Sequence, residues 1–431
     1  MQLNIEKLVY GGDGLARLPA DEQGRGKTVF VPFVLEGETV AAELVEQKRG
    51  FARARATAIL QASPSRVEPD CHYFARCGGC HYQQASYEHQ LEIKAAILKE
   101  NLRRIAKLEL GTELQIHASP PWGYRNRTRV KIQTAPTFGL GYYRLGSHEL
   151  LAIEQCPISS PLINRTIAAL WQLGKSGKIG VEVQDIEIFA ANEEQLLIEL
   201  HCGESASRSA LRQLAEATKS ALPQVEGVVV FRNSNAIHSA VEPKAIVTAG
   251  SGFLTYKVGE NSYRVSAGAF FQVNRHLTSN LVEVVTENTI GGVALDLYAG
   301  VGLFSNALAG SFAQVVAVES SPISFSDLAY NSPQNVKPVR ATTEQFLKSE
   351  AGGLRPDLIV VDPPRSGLGE STVRQLAKLN SPRITYVSCD PATLSRDLVG
   401  FLEQGYRIEQ AHLLDLFPQT FHLESVLQLV R

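Results

Sequence analysis

The chain has 431 residues, 44% of them apolar, with 42 Lys and Arg against 44 Asp and Glu and a formal charge of -2. This length exceeds what a single hydrophobic core supports, so two or three domains are expected, and near-neutrality requires any polyanion to be gripped by local basic patches rather than by an overall field. The opening Met1-Gln2-Leu3-Asn4-Ile5-Glu6-Lys7 has no basic stretch leading into an apolar one and no apolar run can span a bilayer, so a cytoplasmic protein without membrane contact is expected, its six cysteines being metal ligands or catalytic groups rather than a disulfide framework.

In chain order, the first sixty residues read as all-β. Strand-like runs at Val29 to Val34 and Thr39 to Leu44 are punctuated by glycines, which suits a small barrel. Its last segment sets Lys48, Arg49, Arg53 and Arg55 around Phe51, a surface that either tracks phosphates or is a solvated basic edge. Next comes Cys71-x5-Cys77-Gly78-Gly79-Cys80, with Cys156 far downstream. Four thiolates suffice for a tetrahedral zinc or an iron-sulfur cluster, and three close ligands with one remote lean towards the cluster. Cys202 reads as a buried thiol outside that set. Ser86 can cap a helix whose apolar positions are Leu91, Ala95, Leu98, Leu102 and Ile105. From Tyr124 to Lys131, Arg125, Arg127, Arg129 and Lys131 alternate with other residues, placing four cations on one face of a strand. Such a ladder needs acidic neighbours or phosphates, and phosphate contact is the expectation.

Residues Leu150 to about Val265 predict mixed α/β structure without a chemical motif. From Asn274 the pattern becomes that of a doubly wound sheet. A helix at Arg275 to Thr286, a strand at Val293 to Leu297, a helix after Gly302, and strands at Val315 to Val318, Leu358 to Val361 and Ile384 to Val387 alternate. In such sheets ligands bind outside the carboxyl ends of the strands.

Three of those strand ends carry chemistry. Asp296-Leu297-Tyr298-Ala299-Gly300-Val301-Gly302 closes the first with two glycines, and Glu319 ends the next, where a carboxylate can accept from ribose hydroxyls. A dinucleotide fingerprint would place Gly or Ala where Ser305 stands, so a sulfonium methyl donor is the better fit. Asp362-Pro363-Pro364-Arg365 ends a third strand, its prolines fixing the carboxylate's aim. Cys389, in Ser388-Cys389-Asp390-Pro391, is a nucleophile candidate. Addition of its thiolate to C6 of uracil makes C5 an enolate carbon able to attack a methylsulfonium, and a base must then remove the C5 proton. Glu424, in Phe417-Pro418-Gln419-Thr420-Phe421-His422-Leu423-Glu424, is the candidate base.

Together these segments resemble the S-adenosylmethionine-dependent RNA uracil-5-methyltransferases, in particular the ribosomal RNA branch with a TRAM domain. The resemblance implies a multidomain α/β protein: a TRAM-like, OB-like RNA-binding barrel at 1–60, a central α+β iron-sulfur and RNA-binding domain at 61–268, and a Rossmann-like doubly wound methyltransferase domain at 269–431, on which 84–120 pack. It implies a [4Fe-4S] cluster on Cys71, Cys77, Cys80 and Cys156, and S-adenosylmethionine on Gln272 (from Phe270-Phe271-Gln272-Val273-Asn274), Tyr298, Gly300, Gly302, Glu319 and Asp362. Cys389 and Glu424 would be nucleophile and base. The expected partner is structured RNA, ribosomal in preference to transfer RNA, modified by a monomer with no protein partner. A non-catalytic RNA-binding or assembly protein on the same fold is the alternative.

Overall fold

The computed structural model describes residues 1–18, 26–180, 182–192, 194–203, 206–232 and 244–431. Short β-branched runs build the first sheet: β1 (Gln2–Asn4), β2 (Lys7–Leu8), β3 (Asp13–Arg17), β4 (Thr28–Pro32), β5 (Thr39–Gln47) and β6 (Phe51–Gln61), in the order β1-β5-β6-β4-β3-β2. Alternation along β4 buries Val29 and Val31, which meet Leu3, Val40 and Ala52 in a separate small core. The run predicted to reach Val34 stops earlier, because Phe33 turns the chain at φ 61. On the outer face Lys48, Arg53 and Arg55 keep acidic partners, Glu46, Asp13 and Glu43, at 2.8, 3.1 and 3.1 Å. Exposed pairs of this kind contribute little to stability.

Helix α1 (Tyr87–Ile105) begins where predicted, Ser86 accepting from the His89 amide. Its buried face is rotated from the expected stripe. Ala95, Leu98 and Leu102 are inside, but Leu91 is half-buried, Ile105 is exposed, and Gln90 and Lys94 go in instead. Both polar side chains find partners there: Lys94 Nζ reaches Asp415 at 2.6 Å and Gln90 Nε2 reaches Gln419 Oε1 at 3.0 Å.

The second sheet comprises β8 (Arg127–Gln133), β9 (Gly139–Tyr143), β10 (Leu150–Ala152), β11 (Val183–Ala190), β12 (Leu196–Cys202), β13 (Val225–Arg232) and β14 (Ala245–Gly250), after the short β7 (Leu114–His117). Its order is β10-β9-β8-β11-β12-β13-β14, with α2 (Pro161–Lys175) and α3 (Arg208–Ala221) packed on it. The cation ladder lies on β8 and at its entrance, and here the phosphate expectation is corrected. Arg127 is paired with Glu187 and, at 3.0 Å, with Glu199; Arg129 is 2.9 Å from Asp185, which also holds Lys131. Strand β11 runs antiparallel to β8 in a register that sets Asp185 opposite Lys131 and Glu187 opposite Arg129, so the cations meet carboxylates within the protein.

After the hairpin β15 (Phe253–Val258) and β16 (Asn261–Ser266), the third sheet uses β17 (Gly291–Leu297), β18 (Phe312–Glu319), β19 (Val336–Arg340), β20 (Leu358–Val361), β21 (Arg383–Ser388), β22 (Arg407–Leu414) and β23 (Glu424–Val430). Strand order is β19-β18-β17-β20-β21-β23-β22-β7, the first five parallel, so β7 forms its far edge. Helices α4 (Thr278–Thr286), α5 (Leu303–Leu308), α6 (Pro322–Asn331), α7 (Thr343–Ser349), α8 (Glu370–Lys378) and α9 (Pro391–Glu403) accompany it, and α1 packs against α9 through Leu98, Leu102, Leu394 and Leu398 in one core. The predicted helix from Arg275 starts at Thr278, since Asn274 Oδ1 accepts from the His276 and Leu277 amides and holds a turn there. Among the described residues no helix is long and apolar enough to cross a membrane.

Candidate active site

The parallel strands β17, β18, β20 and β21 deliver their carboxyl ends to one edge of the sheet, and the antiparallel β23 starts at that edge. The last pair in the β21 to β23 register is Ser388 with Ser425, so Cys389 and Glu424 stand one step beyond it on adjacent strand ends. Ser425 Oγ also donates to the Ser388 carbonyl at 3.3 Å, which pins the junction. Two residues far apart in the chain thus meet through strand pairing alone. Asp390 caps α9, accepting from the Ala392 and Thr393 amides at 3.0 and 2.9 Å, so Cys389 sits just ahead of a helix N-terminus.

The site is crowded with acids. Burial, then the charges of Glu424 and Asp362, push the Cys389 thiol up to about 12, while Arg365 pulls it down. Burial and then Asp362 raise Glu424 well above the usual carboxylate range, Arg365 again opposing. Asp362, at the end of β20, is raised to about 7 by burial and by Asp296. Asp296 is fully buried, and burial lifts it too to about 7, although Ser305 Oγ donates to its Oδ2. Arg365 is the cation set against both Cys389 and Glu424.

The glycine loop follows β17. Tyr298 is at φ 63, Gly300 at φ 56 and Gly302 at φ 94, the left-handed region where glycine carries no penalty. A Cβ on Gly302 would come within 3.0 Å of Leu328. Glu319 accepts from the Gly300 amide at 2.8 Å and the Ser321 amide at 2.6 Å, tying this loop to the end of β18. Gln272 is only 8% exposed, and its carbonyl accepts from Asn126 Nδ2 at 3.2 Å. Gln272, Tyr298, Gly300, Gly302, Glu319 and Asp362 could hold an adenosyl ligand at this edge.

Cys71, Cys77, Cys80 and Cys156 line a single cavity of about 270 Å³ together with Tyr142 and Ile158. Burial raises the thiols of Cys71, Cys77 (to about 11) and Cys80, and Cys156 acts on all three. Among the described residues the trio of potential ligands gathered within 4.8 Å is Glu187, Glu199 and His201, so no three of the thiols are that close. The four thiols could hold a metal group in this cavity. Cys202 lies apart, fully buried in β12.

Sequence reasoning missed several residues around this edge. The Tyr10 hydroxyl, from the N-terminal sheet, donates to the Cys389 carbonyl at 2.9 Å. Arg365 Nη2 lies 3.2 Å from Nδ1 of His422, whose imidazole is kept neutral, at about 3, by burial and then Arg365. Buried Asp397 accepts from the Leu368 amide and the Tyr386 hydroxyl at 2.6 and 2.8 Å, fixing the loop after Asp362-Pro363-Pro364-Arg365. Arg365 and His422 had a local signal, their places in the Asp362-to-Arg365 and Phe417-to-Glu424 motifs.

The model of a family described as tRNA (uracil-5-)-methyltransferase matches residues 86–431, and that of the TRAM domain matches 1–57. An uncharacterized RNA methyltransferase of Thermotoga maritima is 32% identical, covering 100% of this chain and 99% of its own length. One from Aquifex aeolicus is 33% identical, over 99% and 97%. The crystal structure of Pyrococcus abyssi tRNA (uracil-54, C5)-methyltransferase in complex with S-adenosyl-L-homocysteine is similar with a TM-score of 0.78 and 26% identity, covering 100% of both chains. With a family match over most of its length and relatives aligned from end to end, the chain belongs to the tRNA (uracil-5-)-methyltransferase family and carries an N-terminal TRAM domain.

Proposed function

We propose that this protein moves a methyl group from S-adenosylmethionine to C5 of a uridine in structured RNA through a covalent adduct on Cys389. The observation that carries the reading is the seating of Cys389 and Glu424 on adjacent strand ends, one step past the Ser388 to Ser425 pair. The Cys389 thiolate adds to C6, C5 takes the methyl group as its bond to the sulfonium breaks, Glu424 accepts the C5 proton, and the bond from sulfur to C6 breaks to restore the thiolate. Net, one proton leaves with the products. Both acting groups must be ionised, and burial opposes that in the free protein. Arg365 and a positively charged donor supply the counter-charge. Gln272, Tyr298, Gly300, Gly302, Glu319 and Asp362 would hold the donor.

Cys71, Cys77, Cys80 and Cys156 would hold a [4Fe-4S] cluster, supplying iron-thiolate bonds that join residues 71–80 to residue 156. Iron and sulfide in anaerobically purified protein support this, and stoichiometric zinc refutes it. The target RNA is ribosomal in the reading from the cysteines and barrel. Transfer RNA is the second reading, favoured because the P. abyssi enzyme, named for transfer RNA, covers the whole chain including the barrel. The test is methyl transfer by the purified protein from a labelled donor to separate ribosomal and transfer RNA pools, with nucleosides identified by mass spectrometry. The expected product is 5-methyluridine in one pool, and its absence from every uridine-containing RNA overturns the proposal.

A further inference from the structure

Hydrogen bonds run from the thiol cavity to both the base and the donor segment. Next to Cys80, the amides of His81 and Tyr82 donate to the Gln419 carbonyl at 2.8 and 3.0 Å. Gln419 is buried and held at φ 68, and its amide donates to Gln90 Oε1 at 2.9 Å. The turn that leads to Glu424 therefore hangs on the cysteine loop. On the other side, Cys156 precedes Pro157 and Ile158, whose carbonyls accept from Gly123 and Arg125 at 2.9 and 2.8 Å. The opposite edge of that same short segment pairs with the donor segment: the Asn126 amide donates to the Val273 carbonyl at 2.9 Å, and the Arg275 amide to the Tyr124 carbonyl at 3.0 Å. Asn126 Nδ2 adds bonds to the Gln272 carbonyl and the Tyr256 hydroxyl. Fully buried Tyr124 reaches the base turn as well, donating from its hydroxyl to the Pro418 carbonyl at 3.0 Å.

Residues 124–126 thus form a spacer with the Cys156 loop on one edge, Gln272 and Val273 on the other, and the Glu424 turn at the tip of Tyr124. We propose that ligation of the four cysteines is a positioning device for the reaction, with Tyr124 and Asn126 as the positioning residues that carry its effect to Glu424 and Gln272. The inference rests on the roles given to Glu424 and Gln272 above, and it holds for whichever metal the thiols bind. Joining residues 71–80 to residue 156 through one ligated group removes loop freedom at both anchors, which an unligated pocket regains.

The experiment compares wild type with Cys80→Ser, Cys156→Ser, Tyr124→Phe and Asn126→Ala. In the cysteine variants, amide hydrogen exchange is expected to speed up together in 270–275 and 417–424 while the barrel at 1–57 keeps its protection. Tyr124→Phe is expected to leave donor affinity within about twofold and to slow release of the protein from natural RNA about tenfold, as one lost buried hydrogen bond allows, so that a covalent complex becomes visible on denaturing gels. Asn126→Ala is expected to weaken donor binding about tenfold by calorimetry, with adduct formation on 5-fluorouridine RNA intact at saturating donor. Exchange at wild-type rates in the folded cysteine variants overturns the proposal. If those variants fail to fold, Tyr124→Phe and Asn126→Ala, which keep all four thiols, decide it: unchanged release and unchanged donor affinity overturn it. Wild type inactive on every RNA would sink the functional reading instead, which separates the two failures.

Discussion

The Tyr10 hydroxyl donates to the main-chain carbonyl of Cys389 over 2.9 Å, so the TRAM domain touches the Cys389 loop directly. The Tyr10 ring also meets Phe421 edge-on, with centroids 5.4 Å apart, close to the turn that leads to Glu424. Burial, followed by the charge of Asp390, raises this phenol well above its ordinary range, so it remains a donor at every working pH. Tyr10→Phe is expected to lower single-turnover methyl transfer about fivefold to tenfold, the scale of one lost hydrogen bond with its acceptor left unpaired, without changing RNA affinity. An unchanged rate would make the contact one of packing alone.

For Cys389, RNA carrying 5-fluorouridine at the target gives the sharpest readout. Fluorine cannot leave as a proton does, so the wild type should become trapped on the RNA in the presence of donor. Cys389→Ala should give no trapped complex, and equal trapping would move the nucleophile elsewhere.

Glu424→Gln separates addition from elimination. The amide keeps the shape and the burial but cannot take the C5 proton, so methylated RNA should accumulate on the protein, with multiple turnover falling by about a hundredfold or more. Rapid turnover in this variant would assign the base to another group at the strand edge.

Part of this arrangement was legible in the sequence because it is local. Leu358 to Val361 is the observed β20, Ser86 caps α1, and the strand-end positions of Asp296, Asp362 and Cys389 follow from apolar runs that stop abruptly. What was illegible depends on pairing across the chain. The acids that neutralise Arg127, Arg129 and Lys131 sit on strands reached only after α2, so a ladder that looked ready for phosphate is largely satisfied internally. In the same way the motif around Glu424 names a candidate base but not its burial. Its burial beside Cys389 comes from antiparallel β23 entering an otherwise parallel set of strands.

Donor binding should depend on pH through Asp362 and Asp296, both raised from 3.8 to about 7. Below that value the pair is largely neutral and offers little to a sulfonium; above it the carboxylates are charged. Donor affinity should therefore rise with pH up to about 7 and then level off, roughly tenfold between pH 6 and pH 8 if one group dominates. Calorimetry in buffers of different ionisation enthalpy should show proton release on binding near neutral pH. Without donor the sign reverses for folding: the unfolded chain gives up these protons first, so their contribution to stability falls as pH climbs from about 4 to about 7. A donor affinity flat from pH 5.5 to 8 would mean that the carboxylates do not face the ligand.

Lys94 and Asp415 form a fully buried pair at 2.6 Å, and Lys94 also donates to the Phe417 carbonyl at 3.0 Å. The pair fastens α1 to the connection between β22 and β23, which carries the turn ahead of Glu424. Burial draws the Lys94 ammonium below its ordinary range and the Asp415 carboxylate opposes that shift, so removing one partner strands the other charge away from water. Lys94→Met should cost about 3 to 5 kcal/mol in denaturant unfolding, and Lys94→Met with Asp415→Leu should recover much of it, because an apolar pair of similar volume carries no desolvation penalty. The recovery distinguishes charge burial from a mere packing defect, which the double variant would deepen. If the single variant loses less than about 1 kcal/mol, the carboxylate has found water or a proton, and the tether is weaker than its geometry implies.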